Sequence, residues 1–150
     1  MHQGTAPWQS EHVITLTDGR QLGYALYGDP AGEPVLYFHG GMSSRLDIRF
    51  AYEHCARAGL YIIAPDRPGT GQSSRQAGRT MADWAKDVVE LLDQLQIDRV
   101  PLMGWSVGGP YALTCAYQIP QRITNVATIG SAMTFDSPEA VKALGLMADR

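Results

Sequence analysis

Polar and apolar residues alternate early in the chain. Ile14 and Leu16 fall on one side and Val13, Thr15 and Thr17 on the other, the period of a half-buried strand over residues 12–17. Residues 1–11 ahead of it read as a flexible tail. Asp18-Gly19 predicts a hairpin turn. Leu22, Tyr24 and Leu26 then alternate in a second strand, stopped by Asp29-Pro30-Ala31-Gly32. These two strands predict an antiparallel hairpin.

From Pro34 the pattern changes. Residues 34–39, 60–64, 100–103 and 123–129 are nearly continuous apolar runs, the composition of strands buried on both faces. Helical spacing separates them. Over 47–58, Ile48, Ala51, Tyr52 and Cys55 share one stripe, and Gly59 follows as a C-cap. Thr80, with Asp83 three residues on, predicts the start of a long helix whose buried face carries Trp84, Val88, Leu91, Leu92 and Leu95. A third helix is predicted from Ser106 to about Gln118, with Pro110 tolerated in its first turn. Ser137-Pro138-Glu139 has the composition of a last helix start. An opening hairpin followed by strand–helix units predicts an α/β protein with a mostly parallel sheet. Such sheets bind ligands beyond the carboxyl ends of their strands, where the loops after His39, Pro65 and Trp105 converge. Residues 12–136 read as one core.

Composition narrows the class. The chain has 150 residues, 45% hydrophobic and 18% charged, which fits one globular domain and excludes a disordered chain. A net charge of −3 gives no electrostatic reason to expect nucleic acid or an anionic membrane as a partner. No window approaches a membrane span, and the first residues lack the pattern of a secretory signal. Cys55 and Cys115 make no metal-ligand spacing and read as buried thiols of a reducing compartment. These features predict a cytoplasmic protein that needs no metal and no cofactor.

The candidate chemistry centres on Gly104-Trp105-Ser106-Val107-Gly108. G-x-S-x-G between a strand and a helix is the context of a nucleophile elbow. Chance would produce the pentapeptide roughly 0.1 times in a chain of this composition. A serine at such a turn takes a strained backbone and exposes its hydroxyl over the sheet end. Gly104 and Gly108 leave space where side chains would clash. Gly69-Thr70-Gly71 lacks the lysine of a phosphate loop and is rejected as a nucleotide site.

Three motifs in order, His39-Gly40-Gly41, Asp66-x-x-Gly69-x-Gly71-x-Ser73 and Gly104-x-Ser106-x-Gly108, make the chain resemble the first half of an α/β-hydrolase fold serine hydrolase. That superfamily includes esterases, lipases and proline iminopeptidases. The resemblance implies Ser106 as nucleophile, the backbone N–H groups of Val107 and Gly41 as oxyanion hole, and a small-molecule ester or amide as substrate. It gives His39 the shaping of the oxyanion loop, with Gly40 structural beside it, and makes the Gly69-Thr70-Gly71 loop a structural turn near the site braced by Asp66 and Arg67. Met42 stands where relatives often carry proline. Trp105 fits either a substrate contact or a packing role. Relatives that open epoxides carry Asp at the elbow, so Ser106 implies acyl transfer.

The triad is incomplete in this sequence. No histidine follows Ser106, His2, His12 and His54 have no suitable context, and Asp136 is a weak match to the acid of a minority of relatives. The chain therefore reads as the N-terminal portion of a larger enzyme, inactive alone, with 137–150 resembling the start of a cap. The open sheet edge would receive the remaining half or a second copy. The competing reading is a non-catalytic relative that binds a small molecule or a partner.

Overall fold

Three of the apolar runs form the middle of one six-stranded sheet in a computed structural model of the chain, which describes residues 8–131. The fourth, 123–129, expected to be buried on both faces, is instead the edge strand among the described residues and largely exposed. The elements are β1 (Trp8–Thr15), β2 (Gln21–Gly28), β3 (Glu33–Phe38), α1 (Tyr52–Arg57), β4 (Leu60–Pro65), α2 (Trp84–Gln94), β5 (Val100–Trp105), α3 (Gly108–Gln118) and β6 (Ile123–Ile129). Their spatial order is β1-β2-β4-β3-β5-β6. The β1–β2 and β2–β4 pairs are antiparallel, and β4, β3, β5 and β6 run parallel.

Side chains alternate across a strand, and here both sides are covered. Leu36, Phe38 and Ile63 face Trp84, Val88, Leu91 and Leu92 of α2 with Ala112 and Cys115 of α3. Tyr37, Ile62 and Ala64 face the opposite way, against Cys55 of α1, with Ile48 and Tyr52 packed beside it. Two covered faces explain why β3 and β4 read as unbroken apolar runs. Each large side chain so buried contributes about 2 kcal/mol. Cys55 and Cys115 are unpaired and buried, and burial pushes the Cys115 thiol up to about 12.

Several boundaries differ from the sequence expectation. The tail assigned to residues 1–11 is too long: β1 begins at Trp8, because its ladder continues along all of β2 to the Trp8–Gly28 pair. The 47–58 helix opens with a 3-10 turn over Asp47–Ala51 before α1. The helix expected from Thr80 becomes α-helical at Trp84. Its Thr80 hydroxyl donates to the Asp83 carboxylate, which also accepts the Thr80 N–H. Only the reciprocal half of a capping box is therefore made. The expected tail residues 1–7, Asp136 and the 137–150 helix lie outside the described residues.

β6 pairs with β5 on one side, and no strand covers its outer edge among the described residues. Among the described residues no helix is long and apolar enough to cross a membrane.

Candidate active site

Ser106 occupies the turn between β5 and α3 with φ +52°. A non-glycine residue there costs about 1–2 kcal/mol, so its surroundings must enforce it. The Ser106 N–H donates to Ile129 O at 2.9 Å, and Ser106 O accepts from Gly109 N–H at 3.1 Å. The backbone also closes tightly. A Cβ on Gly104 would lie 2.5 Å from Gly108 O, and one on Gly108 would overlap the Phe38 carbonyl of β3. β3, β5 and α3 thus hold the elbow between them. α3 starts without a side-chain cap, which leaves a helix N-terminus able to receive an anion.

The loop after β3 lies against this turn. A Cβ on Gly40 would be 3.2 Å from the Trp105 ring and 3.8 Å from Ser106 Cβ, and one on Gly41 would be 3.1 Å from Val107 Cγ2. Gly40 is fixed from both ends of its peptide. Its N–H donates to Asp47 Oδ2 at 3.1 Å, and Asp47 Oδ1 accepts the Tyr37 hydroxyl at 2.6 Å. Its carbonyl accepts from Arg67 Nη2 at 2.6 Å and lies 2.9 Å from His39 Nδ1. Arg67 Nη1 also reaches His39 O at 2.5 Å.

His39 is fully committed. Its Nδ1 faces a carbonyl, which can only accept, and its Nε2 faces the Arg67 N–H at 3.3 Å, which can only donate. Those partners fix the neutral Nδ1–H tautomer. Burial holds its pKa below the ordinary value, and the Arg67 charge adds to that effect. Burial likewise pulls the Arg67 guanidinium down. His12 bonds Ser10 and stacks on Tyr24 in the hairpin, and His54 is exposed on α1.

The Asp66 loop is knit around one buried carboxylate. Asp66 Oδ1 accepts the Arg45 N–H at 2.7 Å, and Oδ2 accepts from Arg45 Nη1 at 2.8 Å and from Gln72 N–H at 2.9 Å. Arg45 also pairs with Glu11. The Ser73 hydroxyl donates to Asp66 O at 2.8 Å and accepts from Gly23 N–H at 3.0 Å. These bonds hold the loop after β4 as a turn. Sequence reading missed Asp47, Arg45 and Tyr111. An acid at the start of a helical segment is the only signal Asp47 offers. Arg45 and Tyr111 act through partners distant along the chain, which no local pattern specifies. Trp105 is 45% exposed among the described residues, with its ring close to Gly40. Among the described residues no group of His, Cys, Asp or Glu is arranged to hold a metal ion.

A mostly parallel sheet with a serine at positive φ in the turn from β5 to α3 defines the class: an α/β fold with a tight strand-to-helix turn beyond the carboxyl end of its sheet. Residues 33–147 match the family described as alpha/beta hydrolase fold, and the chain belongs to that family. It is 39% identical over 123 residues to the "Uncharacterized hydrolase YcgS" of Bacillus subtilis (strain 168), covering 81% of this chain and 42% of that protein. Among solved structures, the hypothetical protein PA1622 from Pseudomonas aeruginosa PAO1 superposes with TM-score 0.75 at 29% identity, covering 91% of this chain and 48% of that one. A thermophilic esterase from Thermogutta terrifontis gives TM-score 0.73 at 29% identity, covering 89% and 50%. The chain spans less than half the length of the curated relatives it matches.

Proposed function

We propose that the chain carries the nucleophile of a serine hydrolase that cleaves an ester or amide bond by acyl transfer. The observation that carries this reading is Ser106 at φ +52°, placed at an uncapped helix N-terminus with the Gly40–Gly41 loop packed against it. The names of the hydrolase and esterase relatives agree with it.

In this mechanism Ser106 Oγ attacks the substrate carbonyl carbon and gives up its proton to a base. The oxyanion that forms accepts from the N–H groups of Val107 and Gly41. Gly40 N–H is already taken by Asp47, which favours Gly41 as the donor. Each such donor is worth about 3 kcal/mol in the transition state. Collapse expels the alcohol or amine, which takes the proton. Water then attacks the acyl-serine and releases the acid. His39 cannot be the base, since both its nitrogens are engaged. The reading therefore draws the base from outside the described residues.

The test is turnover of p-nitrophenyl butyrate by the full native chain and by Ser106→Ala. A loss of about a thousandfold or more in kcat is expected. A variant retaining a tenth of the activity overturns the proposal. Stoichiometric binding of esters without turnover favours the non-catalytic relative instead.

A further inference from the structure

Arg67 is buried and has no acid to answer it. Among the described residues two arginines lie in the interior. Arg45 pairs with Asp66 and Glu11, whereas Arg67 makes no ion pair there. Taking a guanidinium out of water without a carboxylate is unfavourable, and burial accordingly pulls its pKa down. Its charge rests instead over the Tyr111 ring, 4.9 Å from the ring centroid. An aromatic face attracts the cation without drawing its N–H groups away from other acceptors, as a carboxylate would.

Those N–H groups engage two consecutive carbonyls. Nη1 donates to His39 O at 2.5 Å and Nη2 to Gly40 O at 2.6 Å. Gly40 O also lies 2.9 Å from His39 Nδ1, a second donor in the Nδ1–H tautomer. A carbonyl oxygen has two lone pairs. Both are taken here, so the direction of this C=O is fixed.

That direction sets another. The Gly40–Gly41 peptide is trans, like every peptide bond among the described residues, so its N–H points opposite to its C=O. With Gly40 O turned to Arg67 and His39, the Gly41 N–H is turned away from both. Gly41 is exposed, and its N–H makes no hydrogen bond among the described residues. Its Cα sits against Val107, where an added Cβ would come within 3.1 Å of Cγ2. A free donor is thus presented beside the Ser106 turn. Asp47 anchors only the preceding peptide, through Gly40 N–H, and the two soft dihedrals of Gly40 separate that anchor from the Gly41 N–H. Arg67 holds the peptide that carries the donor.

We infer that Arg67 is a positioning residue of the oxyanion hole: through Gly40 O it aims the Gly41 N–H at the substrate oxygen and strengthens it as a donor. Guanidinium, peptide and oxyanion form one chain of hydrogen bonds, in which each bond polarises the next. The charge is in place before the oxyanion forms, so no reorganisation accompanies the reaction. Arg67 keeps its protons throughout. The inference rests on the acyl-transfer reading of Ser106.

The experiment compares the full native chain, Arg67→Met, Arg67→Lys and Ser106→Ala on p-nitrophenyl butyrate. Fluorophosphonate titration to its end point counts the sites, so that kcat refers to folded protein. Arg67→Met is expected to lower kcat about a hundredfold, as loss of an oxyanion donor does, with KM within about threefold. Arg67→Lys keeps the charge and one donor, and is expected to recover about tenfold of that loss. The inhibition constant of butyl trifluoromethyl ketone, whose serine adduct carries the oxyanion, should rise in proportion to the loss in kcat/KM. A role confined to packing lowers the count of sites or raises KM, and gives no such proportion. If Arg67→Met does not fold, Arg67→Lys carries the test, with kcat about tenfold below native and the ketone weakened equally. Native kcat in a folded Arg67 variant, or a fall in kcat that leaves ketone binding unchanged, overturns the inference while the acyl-transfer reading stands. A native chain without turnover, or turnover that persists in Ser106→Ala, overturns that reading and the inference with it.

Discussion

At the scale of single residues, the elbow is a set of approaches too close for side chains. A Cβ on Gly108 meets the backbone of β3, which cannot move without breaking the sheet, whereas a Cβ on Gly41 meets only the end of the Val107 side chain. Gly108→Ala is expected to cost about 3 kcal/mol or more, and Gly41→Ala under about 1 kcal/mol, by thermal or urea unfolding. Equal costs would contradict the packing described for the turn. His39 gives a second residue-scale expectation. Its folded-state pKa lies below the ordinary imidazole value of 6.5, chiefly through burial. The unfolded chain therefore binds more protons just below pH 6.5, and stability contributed by the neutral ring is lost as pH falls through that value. Asp83 is depressed to about 2, first by its bond from the Thr80 backbone, so its window lies at lower pH. Melting temperatures between pH 7 and 5 should fall less steeply for His39→Gln than for the native protein, and parallel slopes would count against a buried neutral imidazole. Ser106, Gly104 and Gly108 were legible in the sequence because a sharp turn imposes its residue types locally. The clamp on Gly40 was not, because Asp47 lies seven residues away and Arg67 twenty-seven, and no local pattern encodes such a pairing.

At the scale of elements, each helix is tied to the sheet by apolar burial and, in one case, by charge. Asp87 of α2 is 2% exposed and receives both terminal nitrogens of Arg20, at 2.8 and 2.5 Å. The pair holds the Arg20 guanidinium well above its ordinary pKa, chiefly by its hydrogen bond to Asp87. Removing one partner of a buried pair strands the other. Arg20→Met is expected to destabilise the fold by about 3 kcal/mol, and Arg20→Met/Asp87→Leu to recover much of that, as read by urea unfolding. A single variant as stable as the native protein would show that Asp87 finds another partner. The strands and helices themselves were readable in advance, since unbroken apolar runs and helical stripes each reflect which faces are covered. Their ends were less so. β1 reaches back to Trp8 because β2 offers backbone partners that far, and α2 starts late because Thr80 spends its hydroxyl on Asp83. Both depend on tertiary or side-chain hydrogen bonds that propensity does not carry.

At the scale of the whole molecule, the strand order brings the ends of β3, β4 and β5 side by side, and with them the Gly40–Gly41 loop, the Asp66 loop and Ser106. The α/β class was visible in the order of elements. The placement of β4 between β2 and β3 was not, because strand neighbours are set by long-range pairing and not by sequence adjacency. The chain spans 42% of the Bacillus subtilis relative, and acyl transfer at Ser106 needs a base that none of the described histidines supplies. The central claim is thus a chemical one about a single hydroxyl, and it is reached most directly by covalent capture. The full native chain and Ser106→Ala are treated with a fluorophosphonate and digested, and adducts are located by peptide mass spectrometry. The expected result is one adduct, on the peptide holding Ser106, absent from the variant. Labelling that persists in Ser106→Ala, or a native chain that takes no label, would contradict the assignment of Ser106 as nucleophile.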